Sequence, residues 1–244
     1  MARASDAHHC AFVHDLAMHN DVMTITPPAP PASSGAWARA FPVLYDPVLW
    51  LGERTGMRSL RRELVSNARG LTVEIGSGTG LNLPHYADEV DELVLAEPDP
   101  AMRSRLERRL ARSGRAARLV DAPAEQLPFG NATVDTVVST LVLCTVESPE
   151  LALREIARVL RPGGRLLFIE HVRSASPRLA RWQDRLVEPW RRFGRGCRCN
   201  RPTTELMTNG GLTLTDVRET SWHAMPPIVR PLVSGCARIG DGRG

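Results

Sequence analysis

The chain has 244 residues, 43% of them hydrophobic, which is enough for one sizeable α/β core and little else. All 31 basic side chains are arginines, and the net charge of +4 is modest, with acids interspersed, so no nucleic-acid partner is expected. Five scattered cysteines and the lack of a signal peptide or a long apolar run point to a reducing cytoplasm and exclude an integral membrane segment.

Residues 1–36 read as a disordered tail and linker that ends in the run Pro27-Pro28-Ala29-Pro30-Pro31. The tail histidines (His8, His9, His14, His19) read as polar tail rather than as a metal site, and Met23 is an alternative start. From residue 37 to 244 the pattern is that of one domain. It opens with a helical cap over 37–68, in which Trp37, Phe41, Leu44 and Tyr45 lie near one face. Leu71 to Ile75 is a strand, and a helix is expected from Leu81. A second strand follows at Glu92–Ala96, then a helix at Ala101–Arg112, whose run of arginines from Arg103 to Arg115 reads as a solvated face. Strands at Ala117–Val120 and Val134–Ser139, a helix at Glu150–Leu160 and a strand at Arg165–Ile169 continue the alternation. A helical insert (173–210), with a helix over Pro177–Phe193, precedes a strand near Leu212–Arg218. Alternating strands and helices predict a doubly wound, mostly parallel α/β sheet.

The loop after the first strand carries the chemistry. Glu74-Ile75-Gly76-Ser77-Gly78-Thr79-Gly80 breaks a buried strand into alternating glycines, which lets a ligand approach the backbone. Glu74 would repel a pyrophosphate, whereas a sulfonium cofactor with an ammonium group tolerates it. Glu97 ends the second strand, 17 residues after Gly80, where a carboxylate can accept both ribose hydroxyl hydrogens. Asp99-Pro100 reads as a helix cap with proline at the first turn. Residues 121–129 form a loop on the adenine edge, and Leu160-Arg161-Pro162-Gly163-Gly164 is an architectural turn. Cys197-x-Cys199 has no second pair and no nearby histidine, so no metal is expected.

Taken together, Glu-Ile-Gly-Ser-Gly-Thr-Gly, the Glu97 acid, Ala124-Glu125-Gln126-Leu127-Pro128-Phe129 and Leu-Arg-Pro-Gly-Gly resemble the class I S-adenosylmethionine-dependent methyltransferases, type 11 group. Thr140 to Val146 and Phe168-Ile169-Glu170-His171-Val172 look like the animal thiol S-methyltransferases. Those animal proteins carry an apolar N-terminal membrane segment that this sequence does not show, so peripheral membrane contact alone stays open. The resemblance implies a seven-stranded Rossmann-like sheet with S-adenosyl-L-methionine as cofactor. Gly76, Ser77, Gly78 and Gly80 would wrap its methionyl and ribose portions, with Glu74 as buttress. Glu97 with Pro98 would hold the ribose, and Ala124 and Glu125 would edge the adenine. Pro123 stands where many relatives carry Asp or Asn, so that contact is lost. Ser139, Thr140 and Leu141 would sit near the sulfonium.

The expected reaction is methyl transfer to a small, apolar acceptor, a thiol first. An O-, N- or C-acceptor of lipid, quinone or secondary metabolism is the alternative, and a non-catalytic cofactor-binding sensor or partner subunit stands behind both. The sulfonium is already activated, so alignment does most of the work. His171 is the candidate base, or equally a strand-end histidine bonded to backbone. Cys144 reads as apolar filler. Trp182, Trp190 and Phe193 either cap the acceptor pocket or pack the insert.

Overall fold

A computed structural model of the chain describes residues 36–240; the expected tail, its histidines, Met23 and Cys10 lie outside them. Helix α1 (Ala36–Gly52) leads through a π-turn at Glu53–Met57 into α2 (Arg58–Val65). The turn is where Gly56 takes φ 144°, which an L side chain rarely adopts. Strands β1 (Leu71–Ile75), β2 (Glu92–Ala96), β3 (Arg118–Val120), β4 (Val134–Thr140) and β5 (Leu160–His171) then alternate with helices α3 (Pro100–Ser113) and α4 (Pro149–Val159). Helices α5 (Pro177–Phe193) and α6 (Thr203–Asn209) precede β6 (Leu212–Ser221) and β7 (Pro231–Ile239).

One seven-stranded sheet runs β3-β2-β1-β4-β5-β7-β6. β1 to β5 are parallel, and β7 enters antiparallel between β5 and β6. The order reverses between β1 and β4, so their carboxyl ends open on the switch-point crevice where doubly wound sheets bind ligands. Both faces are covered, as a parallel sheet requires. Val73, Ile75, Leu166 and Phe168 pack with Leu153 and Ile156 of α4 and Met207 of α6. Leu95, Val138, Leu167 and Ile169 pack on the other face with Leu49 of α1, Leu64 and Val65 of α2 and Leu106 of α3.

Three expectations change. No α-helix begins at Leu81: a short 3-10 turn over Leu83–His85 takes its place, because Pro84 and the diverted Asn82 side chain leave nothing to propagate. The loop therefore has no helix N-terminus to offer an anion. β5 begins earlier, with Leu160 opposite Val134; it bulges over residues 161–164 and resumes with Arg165 opposite Thr136. Arginines of α3 and of the residues just after it are only partly solvated. Arg103 pairs with Asp121, Arg109 with Asp46, and Arg115 donates to the Tyr86 carbonyl.

Candidate active site

The glycine loop turns at the end of β1 with left-handed backbone at Gly76, Gly78 and Gly80. A Cβ on Gly76 would stand 2.7 Å from Val142, so the loop lies directly on the turn after β4. At Gly78 the case is different. A Cβ there would meet no protein atom nearer than 3.9 Å, so the space above this backbone is open to a ligand. Ser77 points inward: its hydroxyl donates to the Glu74 carbonyl at 3.1 Å.

Glu97 reaches back to this loop. Its Oε2 accepts from the Gly78 amide at 2.7 Å and its Oε1 from the Asp99 amide at 2.8 Å. Burial pushes the carboxyl's pKa up, and these two amides pull it back toward the charged form. Asp99 caps α3, accepting from Ala101 and Met102, as the sequence suggests. Pro98 is exposed beside them, Ala124 is buried on the loop after β3, and the Glu125 carboxylate accepts from the Ser148 amide at 3.4 Å.

Glu74 is buried in a network that sequence reasoning missed. Tyr86 donates to its Oε2 at 2.6 Å and Asn82 to its Oε1 at 3.0 Å. Asn82 also donates to the Thr140 hydroxyl at 3.0 Å, and its own carbonyl accepts from the buried Arg61 at 3.0 Å. Both Glu74 oxygens are thus occupied by neutral protein donors, and burial raises its pKa to about 7. The loop, α2 and the end of β4 are tied together through one carboxyl.

A second buried carboxyl, also unforeseen, reaches the end of β4 from β5. Glu170 Oε1 accepts from the Ser139 hydroxyl at 2.6 Å and from the Val142 and Leu143 amides at 3.0 and 3.1 Å. These bonds hold a turn in which Leu141 takes φ 61°, a strained value for a leucine. A lone acid inside the apolar run Leu166 to Ile169 and His171 was the signal available in the sequence. A third missed residue is Asp46 of α1, which accepts from the Thr79 hydroxyl at 2.6 Å and pairs with Arg109, clamping the cap onto the glycine loop.

His171 is 4% exposed and stacks on Trp222, ring centroids 5.8 Å apart. Burial lowers its pKa to about 4 against the pull of the Pro231 and Val229 carbonyls, so the ring is neutral at pH 7. The fold brings it beside Cys144 and Cys197, a histidine neighbour that spacing in the chain had not offered. Trp190 is half-buried, Trp182 is exposed, and Phe193 stacks on Trp37 of the cap with centroids 5.1 Å apart. Two cavities among the described residues, of about 420 and 680 Å³, lie elsewhere, one beside β6 and β7 and one below β2 and β3.

A family profile described as a methyltransferase domain matches residues 73–168, from β1 to the middle of β5. The chain is 35% identical to the human protein called thiol S-methyltransferase TMT1B over 191 residues, 73% of this chain and 76% of that one. It is 32% identical to human thiol S-methyltransferase TMT1A over 193 residues, 74% and 79% of the two chains. Among solved structures, a SAM-dependent methyltransferase from Thermotoga maritima superposes with a TM-score of 0.58 at 22% identity, covering 84% of this chain and 95% of that one. The sheet order, the glycine loop and these likenesses agree that the chain belongs to the class I S-adenosylmethionine-dependent methyltransferases.

Proposed function

We propose that the enzyme transfers the methyl group of S-adenosylmethionine to the sulfur of a small, apolar thiol. The observation that carries the acceptor is the likeness to two proteins called thiol S-methyltransferases, which runs over about three quarters of each chain. In this reading the cofactor lies over Gly76, Ser77, Gly78 and Gly80, with its ribose on Glu97 and Pro98 and its adenine against Ala124 and Glu125. Open space above Gly78, with the Glu97 carboxylate hydrogen-bonded to that residue's amide, supports this placement. Ser139 and Thr140 flank the sulfonium, and Glu74 acts through Asn82 as a positioning residue.

The chemistry is an in-line displacement at the methyl carbon. A sulfur lone pair forms the new S–C bond as the sulfonium C–S bond breaks, leaving S-adenosylhomocysteine. A thiol is partly ionised near neutral pH, so alignment counts for more than base catalysis. The cysteine pattern supports a reducing, cytoplasmic setting. Among the described residues no helix is long and apolar enough to cross a membrane. Peripheral contact is supported by exposed Val48, Trp50 and Leu51 on α1 and Trp182 on α5, where Arg54 and Arg185 lie over the tryptophan rings.

The test is a panel of thiols, phenols and amines assayed for S-adenosylhomocysteine release. Apolar thiols should turn over, with phenols and amines slower by an order of magnitude or more. Turnover of phenols without thiols would reverse the acceptor assignment.

A further inference from the structure

Cys144 lies on the turn after β4 and Cys197 in the segment after α5. Although 53 residues separate them, their sulfurs stand 3.7 Å apart. A ring nitrogen of His171, at the end of β5, joins them, and the three ligand atoms all lie within 4.8 Å of one another. All three side chains are buried, at 1%, 7% and 4% exposure. His171 Nδ1 is sealed from solvent and has no hydrogen-bond partner. Buried polar nitrogens are nearly always satisfied, so an orphan of this kind calls for an occupant.

We propose that Cys144, Cys197 and His171 form a binding site for a thiophilic metal ion, zinc(II) in the first instance. Two thiolate sulfurs and an imidazole nitrogen are the donor set that zinc takes. Sulfurs bound about 2.3 Å from a tetrahedral ion stand about 3.8 Å apart, which the observed separation matches. The sulfurs stand well beyond the disulfide bond length of about 2.05 Å, and both cysteines are free thiols available as ligands. Charge fits as well. Two thiolates neutralise a dication, so the loaded site buries no net charge. Binding forms two S–Zn bonds and one N–Zn bond and releases the two thiol protons to solvent.

The experiment is metal analysis and cobalt(II) substitution of the full chain purified under reducing conditions. One zinc per chain is expected. Cobalt should give a near-ultraviolet thiolate charge-transfer band and the visible bands of a tetrahedral site. Cys144→Ser, Cys197→Ser and His171→Ala should each lower occupancy at least tenfold, while Cys236→Ser, on β7, retains it. Circular dichroism separates lost ligands from lost folding, and the wild-type cobalt spectrum decides the matter without any variant. A folded wild type that shows no thiolate–cobalt band, or a Cys144–Cys197 disulfide with no metal uptake, overturns the site. Metal binding with no turnover of any thiol would sink the acceptor reading and leave the metal site standing.

Discussion

Glu97 joins the two halves of the proposed cofactor site through one side chain. Each carboxylate oxygen already accepts one backbone amide and has a lone pair left for a ribose hydroxyl. Removing it deletes a pair of charge-assisted bonds and leaves the Gly78 amide without its acceptor. Glu97→Ala should therefore weaken S-adenosylmethionine binding at least about tenfold by calorimetry. Unchanged affinity would place the ribose elsewhere. Glu74 makes a different prediction. Its pKa is raised by burial to about 7 from an ordinary 4.5, so the folded state takes up a proton more readily than the unfolded chain. Stability from this group is full below about pH 4.5 and is lost as pH rises toward 7. In cofactor-free protein, Glu74→Gln should gain on the wild type by about 2.5 kcal/mol between pH 5 and pH 8, read from urea unfolding at each pH. A pH-independent difference would mean that the carboxyl is ionised throughout.

Among the elements, α1 depends on the site as much as the site depends on it. Many of its apolar side chains are exposed (Val43, Val48, Trp50 and Leu51), so burial alone holds it weakly. Asp46, bonded to Thr79 and Arg109, supplies a polar clamp instead. Asp46→Ala should speed hydrogen exchange across residues 36–52 by about tenfold and leave β1 and β4 unchanged, since the pair is only partly exposed. Equal exchange in both proteins would show that the clamp is ornamental. The elements also mark what the sequence could disclose. β2 and the helix over Pro177–Phe193 have the expected bounds, because apolar runs flanked by proline and glycine are local signals. The helix from Leu81 was misjudged because a glycine loop usually opens one, and nothing local showed Asn82 diverted to Glu74 and Thr140. The strand at Pro231–Ile239 has no clear local pattern, since its burial comes from partners on both sides. The turning glycine loop was legible from its spacing read together with Glu74, Glu97 and the Leu-Arg-Pro-Gly-Gly turn. The Arg61–Asn82–Glu74–Tyr86 network, the Glu170 brace and the cysteine–histidine cluster were not, because they join residues that only the fold makes neighbours.

For the whole molecule, the order of strands matters more than their number. The last strand is not at an edge: β7 lies between β5 and β6, pairing with Arg165–His171 on one side and with β6 on the other. A chain emerging from the ribosome therefore presents β1 to β5 with an open, apolar flank at β5, and β6 has nothing in the sheet to join until Pro231–Ile239 emerges. Such late, long-range closure is slow and leaves the flank exposed to other chains in the meantime. A chain that stops at Arg230, before β7, should be aggregation-prone, read as loss of soluble yield against the chain that carries β7. The completed sheet is thus its own checkpoint: β7, made after both strands it joins, is the one that shuts the core.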